Sequence, residues 1–420
     1  MPLTPDTHSI YSRRIGIPAD AAARWVAIAL GAAIPISTAL DNILLLLLLL
    51  CGALGYGFNL LRIVQVNPVA RAGWILGGLF ALGVGYGAAP LNEAMGMFGK
   101  YADLLLLPFF MRAMRNPDTR SAAVNAFLGA MLATLLLSTL VGLGLLKPAS
   151  WMWGGVDNPA IFRSSITQNL FMAYAVLLAL LRAQQAGRYK WLWLSGAALG
   201  AVNILFLVKG RTGYVVLFLL SGYWVWVSWS AWLARHGHRA SRWHAGGIIV
   251  LCLVAIAAVY QFSPRFHQRV TEVVDEYRAW DPGVPSQTST GQRLEFYYHS
   301  LRLAGTHWLL GAGTGGFART YAEAVRGSDI PPTHNPHNEY LHFAVQWGIP
   351  GLALLLYLFY CQWRLAPRLA TATETHLARG LVLAVAAGCL FNSLLMDHAE
   401  GLFYAWMSGA LYAGLRERAA

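Results

Sequence analysis

Two imidazoles, two amides and a carboxylate fall within one short stretch, Thr333-His334-Asn335-Pro336-His337-Asn338-Glu339-Tyr340-Leu341. Proline lacks an N–H and disfavours helix in the residue before it, so no single helix runs through this cluster. His334 then belongs to an arriving loop, while His337 and Asn338 open the helix that follows. A helix mouth carries partial positive charge and unpaired N–H groups, which suit an anion. A neutral imidazole with a reference pKa near ~6.5 is suited to accepting a proton from a hydroxyl group. A loop histidine satisfied by backbone is the plain alternative. Zinc is a second one, but Pro336 breaks the helical spacing of zinc motifs and no cysteine or third ligand is near. No metal and no cofactor is expected.

Basic residues recur at what should be the same level: Arg163, Lys209, Arg211, Arg265 and Arg293. Singly, each reads as an arginine or lysine snorkelling toward lipid headgroups. As a set beside a helix N-terminus they form a receptor for a phosphate or diphosphate, since the guanidinium fork donates in pairs and stays charged. The Gly-rich run 311–316 has the look of a phosphate cradle but lacks Gly-Lys-Ser/Thr, a weak signal alone. Asp397-His398-Ala399-Glu400 reads as a polar hairpin tip that could line the same vestibule.

These residues must be held by a membrane protein. The 420-residue chain is 57% hydrophobic and 12% charged with 16 Trp, and apolar runs of spanning length recur along it. The fold expected is an all-α polytopic membrane protein of about twelve transmembrane helices, near 23–40, 42–61, 72–90, 101–114, 121–146, 165–181, 191–208, 212–233, 244–261, 338–363, 379–396 and 400–415. No cleavage site favours a removable signal peptide, so the N-terminus reads as retained. Three parts follow: spans one to nine in 1–261, a helical periplasmic cap in 262–337, and spans ten to twelve with a tail in 338–420.

Placing the N-terminus inside puts 19 of the 31 Lys and Arg in segments facing the cytoplasm, from Arg13, Arg14 and Arg24 onward, against five in short outer loops. Both termini are therefore expected in the cytoplasm. The net charge of +12 is a topology signal, and no nucleic-acid partner is implied. Cys51, Cys252, Cys361 and Cys389 all fall in spans, which disfavours a disulfide framework. In the cap, Phe266, Val270, Val273, Tyr277 and Trp280 mark one amphipathic helix, Leu294, Tyr297, Leu301, Ala304 and Trp308 a second, and 317–326 a third. Asp281 to Gly291 reads as a loop.

Taken in order, Leu310-Gly311-Ala312-Gly313-Thr314-Gly315-Gly316-Phe317, then His337-Asn338-Glu339-Tyr340-Leu341, then Trp347-Gly348-Ile349-Pro350-Gly351 resemble the O-antigen ligase and polymerase superfamily of bacterial envelope glycosyltransferases. The contexts of Arg163, Arg211 and Arg293 and the twelve-span layout fit as well, so the resemblance covers nearly the whole chain. It implies a glycan donor on undecaprenyl diphosphate, a lipid A–core oligosaccharide acceptor for a ligase, and a metal-independent inverting transfer at the periplasmic face of the inner membrane. His-Asn occurs twice; the second copy directly precedes Glu-Tyr-Leu, so the catalytic histidine falls on His337. Arg163, Arg211, Arg265, Arg293 and Lys209 would hold the diphosphate, with His334, Asn338 and Glu339 in support. O-antigen polymerases and protein O-oligosaccharyltransferases share these signatures. A lipid or solute transporter is the alternative of another class, disfavoured because ionisable residues are nearly absent from mid-span and no internal repeat is evident.

Overall fold

Asparagine or serine followed by proline starts helix after helix in this chain. Asn67 accepts from the N–H groups of Val69 and Ala70 ahead of Pro68. Asn116 does the same for Asp118 ahead of Pro117, and Ser263 for Phe266 ahead of Pro264. The side-chain oxygen caps an orphan donor, and proline fits the first turn, where its missing N–H costs nothing.

The computed structural model describes residues 7–55, 59–238 and 241–415. The side chains of 7–18, 59, 242 and 265 lie outside the described residues, and with them the Arg13, Arg14 and Arg265 side chains invoked above. The helices are α1 (Thr7–Ile36), α2 (Thr38–Gly55), α3 (Asn59–Val66), α4 (Pro68–Tyr86), α5 (Leu91–Tyr101), α6 (Leu107–Ala113), α7 (Pro117–Gly142), α8 (Ser165–Ala183), α9 (Lys190–Val202), α10 (Arg211–Arg235), α11 (Arg242–Phe262), α12 (Pro264–Arg278), α13 (Ser289–Thr306), α14 (Gly316–Ala324), α15 (Glu339–Leu365), α16 (Ala372–Gly388) and α17 (His398–Tyr412). No strand occurs among the described residues, and the protein is an all-α polytopic membrane protein. All four cysteines are free.

Among the described residues, ten segments are long and apolar enough to cross a membrane. The expected span at 101–114 is longer, running from Leu91 to Ala113 through α5, a tight 3₁₀ turn and α6. The last two expected spans, now α16 and α17, have 17 and 15 residues and are not among the ten. α17 is buried at every position from Ala399 to Tyr412, so its neighbours are protein rather than lipid. The expected span 379–396 ends early: residues 389–397 are irregular backbone. Irregular backbone is tolerated at such depth only where protein satisfies its polar groups, and the carbonyls of Cys389 and Leu390 do accept hydrogen bonds from outside the loop.

α12, α13 and α14 lie across the bundle end where α4 and α16 finish and α10 and α15 begin. The Tyr297 hydroxyl donates to the Leu390 carbonyl beyond α16, Thr314 N–H to Gly83 O of α4, and the Ser263 hydroxyl to Leu205 O past α9.

α15 is not one rod. Gly348 sits at φ 60°, ψ −154°, a region open essentially to glycine alone, and Pro350 has no N–H to restore the ladder. The turn 311–316 plugs the break. Ala312 and Gly313 donate to the carbonyls of Val345 and Gln346 at 2.8 Å each. Gly315 N–H donates to Gln346 Oε1 at 2.6 Å, and Ile349 N–H to Trp308 O at 2.8 Å. These N–H groups are spent on protein acceptors. The Gly-rich run is therefore a structural latch for the broken helix and not a phosphate cradle.

Candidate active site

His337 is the one non-glycine residue with positive φ among the described residues, at φ 54°. Left-handed backbone disfavours L-residues by roughly 1–2 kcal/mol, so the surroundings must hold it there. Asn335 does so from two positions upstream. Its Oδ1 accepts the His337 N–H at 2.8 Å and the Ser393 hydroxyl at 2.8 Å, tying the turn to the 389–397 loop. Thr333 braces Asn335 in turn, accepting its N–H at 3.2 Å and donating to its carbonyl at 3.0 Å. From α13 the Tyr297 hydroxyl reaches both His337 O and Leu390 O at 3.1 Å. Phe296 lies nearly parallel to the imidazole, with centroids 6.2 Å apart.

The imidazole itself makes no hydrogen bond to a described residue, although it is partly buried. Burial foremost, then the charge of Arg293 and the proximity of His334, push its pKa down to about 4. At neutral pH His337 is thus a neutral ring with a free nitrogen lone pair. The nearby basic groups differ sharply in what they already hold. Arg211, at the start of α10, donates to Thr290 Oγ1 at 2.7 Å and stands 3.9 and 3.8 Å from the Glu272 and Glu276 carboxylates. Arg293 has no carboxylate partner among the described residues. Burial first, and then the neighbouring Arg211 charge, push its pKa down, while Tyr297 pulls the other way; a guanidinium stays charged at neutral pH regardless. An unpaired, partly buried cation is costly and is relieved by an anion.

Other expected members take different roles. Arg163 does not reach toward the site. Its guanidinium donates to Ile34 O at 3.0 and 2.6 Å, to Asp41 at 2.7 Å and to Thr38, with Asp41 fully buried. It staples α1 and α2 and has almost no donor left for a ligand. Lys209 lies in the turn before α10, where its backbone N–H donates to Asn158 Oδ1 at 2.8 Å. Glu339 points away: it is fully buried and accepts from the Tyr101 hydroxyl at 2.6 Å and Leu395 N–H at 2.8 Å. Asn338 is the cap of α15, accepting from Leu341 N–H and donating to Leu390 O at 3.0 Å each. With Glu339 N–H given to Cys389 O at 2.9 Å, the helix mouth is not an open anion seat. His334 is exposed beside His337. The tip Asp397–Glu400 is instead tied inward, His398 to Asp41 at 2.8 Å and Glu400 to Thr167 at 2.6 Å.

Sequence reasoning missed Asn335, Ser393 and Tyr297 as supports of the histidine. Asn two residues before a turn position is a recognisable Asx pattern and was the available signal for Asn335; Ser393 had none. It also missed His342, buried between the Tyr101 hydroxyl at 2.9 Å and Gln346 at 3.0 Å, a core network one helical turn below the site.

The family model described as O-Antigen ligase matches residues 196–356. The match runs from α9 into α15 and takes in Arg211, Arg293 and His337. It supports assignment of the chain to that family. No curated protein matches the chain.

Proposed function

We propose that this chain, whose residues 196–356 match the O-antigen ligase family model, transfers a glycan from undecaprenyl diphosphate to lipid A–core oligosaccharide. The observation that carries the reading is an Arg293 guanidinium with no carboxylate partner among the described residues, beside a neutral His337 imidazole that makes no hydrogen bond to any of them. In the reaction the acceptor hydroxyl oxygen attacks the anomeric carbon and the bond from that carbon to the diphosphate oxygen breaks. The diphosphate leaves with the electron pair, the anomeric configuration inverts, and His337 takes the hydroxyl proton.

Charge develops on the leaving diphosphate, where Arg293, Arg211 and Lys209 offset it. Arg265 belongs to the same proposed set by its position after α11. A bound diphosphate also raises the His337 pKa, reversing the effect of Arg293 and strengthening the base only when donor is present. Guanidinium charge does the work a metal would otherwise do, so the transfer is proposed to be metal-independent. The 262–337 segment is read as a periplasmic cap over an inner-membrane bundle with both termini cytoplasmic.

The test is a transfer assay with purified protein, lipid-linked glycan, rough lipopolysaccharide and chelator. Extension of the lipopolysaccharide supports the ligase. Extension of the lipid-linked glycan or of a protein acceptor, with no lipopolysaccharide product, would replace it by a polymerase or protein glycosylase.

A further inference from the structure

At the bundle end opposite the cap, a cavity of about 650 Å³ lies among the start of α7, the end of α8 and the start of α16. A second, of about 280 Å³, lies along α7, α8 and α9. Trp193 lines both. The two differ in chemistry. The first holds Arg120, Arg182, Gln185, Thr373 and Glu374, with Asp118 exposed at its rim. The second is walled by Leu128, Met131, Leu135, Met172, Val176 and other apolar side chains. Leu192 and Leu199 on its α9 wall are mostly exposed on the bundle surface.

Charge pairing singles out one cation. Arg120 and Glu374 neutralise each other at 3.0 Å. Arg182 has no carboxylate partner among the described residues; it donates to the Asn125 amide oxygen and lies 5.3 Å over the Trp193 ring. A half-buried guanidinium held by neutral groups, at the mouth of an apolar groove that opens sideways, matches an amphiphile with an anionic head and a hydrocarbon tail. We propose that the two cavities form one phospholipid site, with the phosphodiester on Arg182 and an acyl chain in the groove. A phosphoethanolamine head would turn its amine toward Asp118. The site is remote from the cap end and independent of the transfer reaction.

Gly196 supplies the discriminating variant. It lines the groove, and a Cβ added there meets nothing within 4 Å, so Gly196→Leu blocks the chain while favouring the helix. Full-length protein is reconstituted with phosphatidylethanolamine and extracted in mild detergent, and retained lipid is counted by native mass spectrometry. Wild type retains one lipid. Arg182→Met lowers the retained fraction by about tenfold, the scale of one lost charge-assisted hydrogen bond, and Gly196→Leu lowers it by filling the groove where the acyl chain lies. Arg188→Ala, an exposed arginine at the same end, leaves it unchanged. No retained lipid in the wild type overturns the proposal. So does full retention by Arg182→Met or by Gly196→Leu, or an equal loss in Arg188→Ala.

Discussion

Replacing Asn335 with alanine removes the acceptor that holds His337 in left-handed backbone without touching the imidazole or the arginines. The amide oxygen takes two hydrogen bonds, from His337 N–H and from the Ser393 hydroxyl, each at 2.8 Å. A neutral hydrogen bond is worth ~0.5–1.5 kcal/mol net, so Asn335→Ala withdraws about 1–3 kcal/mol from a conformation that already costs roughly 1–2 kcal/mol. At 1.4 kcal/mol per factor of ten, the population with a correctly aimed ring falls roughly 5- to 150-fold. The loss should appear in kcat, with the donor KM nearly unchanged, because Arg211 and Arg293 stand on α10 and α13. Asn335→Asp keeps the acceptor and should recover most of the rate. The assay is extension of rough lipopolysaccharide by purified protein in lipid, with thermal unfolding as the folding control. Full kcat in Asn335→Ala, or an equal loss in Asn335→Asp, would refute the positioning role.

The base form of His337 exists above its pKa of about 4 and is lost as pH falls through it. The acid limb of kcat/KM, which reports the free enzyme, should therefore lie well below the usual histidine range, and that of kcat higher because bound diphosphate raises the pKa. Arg293→Met should shift the kcat/KM limb upward; limbs fixed near pH 6.5 in both proteins would contradict this. Arg293→Ala should cost roughly 10- to 150-fold in kcat/KM for the donor through a lost charged hydrogen bond, at an unchanged melting temperature. Arg163→Ala should instead lower the melting temperature, because the buried Asp41 is left with His398 as its remaining ion-pair partner and breaking a buried pair costs up to ~3–5 kcal/mol; an intact melt would mean its contacts with Ile34 and Asp41 are dispensable. Gly313 lies at φ +79°, and a Cβ there would meet Gly87 Cα at 2.2 Å. Gly313→Ala should lower stability by about 1–3 kcal/mol, measured by thermal unfolding, and an unshifted melt would remove the latch role of 311–316.

Hydrophobic runs and Lys/Arg placement made the bundle and the three helices across its end legible, since both signals are local. The placement of Arg211, Arg293 and His337 at the cap end was legible for the same reason: each sits next to a helix start that proline, glycine or threonine announces. What stayed hidden was pairing at a distance. Arg163 reads like any outer-loop arginine until Asp41, 122 residues away in the chain, is folded against it. Glu339 adjoins the histidine in sequence, yet helical rotation turns it to Tyr101, 238 residues away. Residues 389–397 contain Leu390, Phe391, Leu394, Leu395 and Met396 and so read as the end of a span. Their backbone leaves the helix because Glu339, Asn338 and Tyr297 take its carbonyls, and no periodicity encodes that.

The most direct measurement is the turnover of His337→Ala in the reconstituted transfer assay, beside its melting temperature. Removing a general base lowers turnover ~10²–10⁴-fold, and that loss with an unchanged melt is the predicted result. Near-wild-type turnover by a folded His337→Ala protein would contradict the central claim that this imidazole accepts the acceptor's proton.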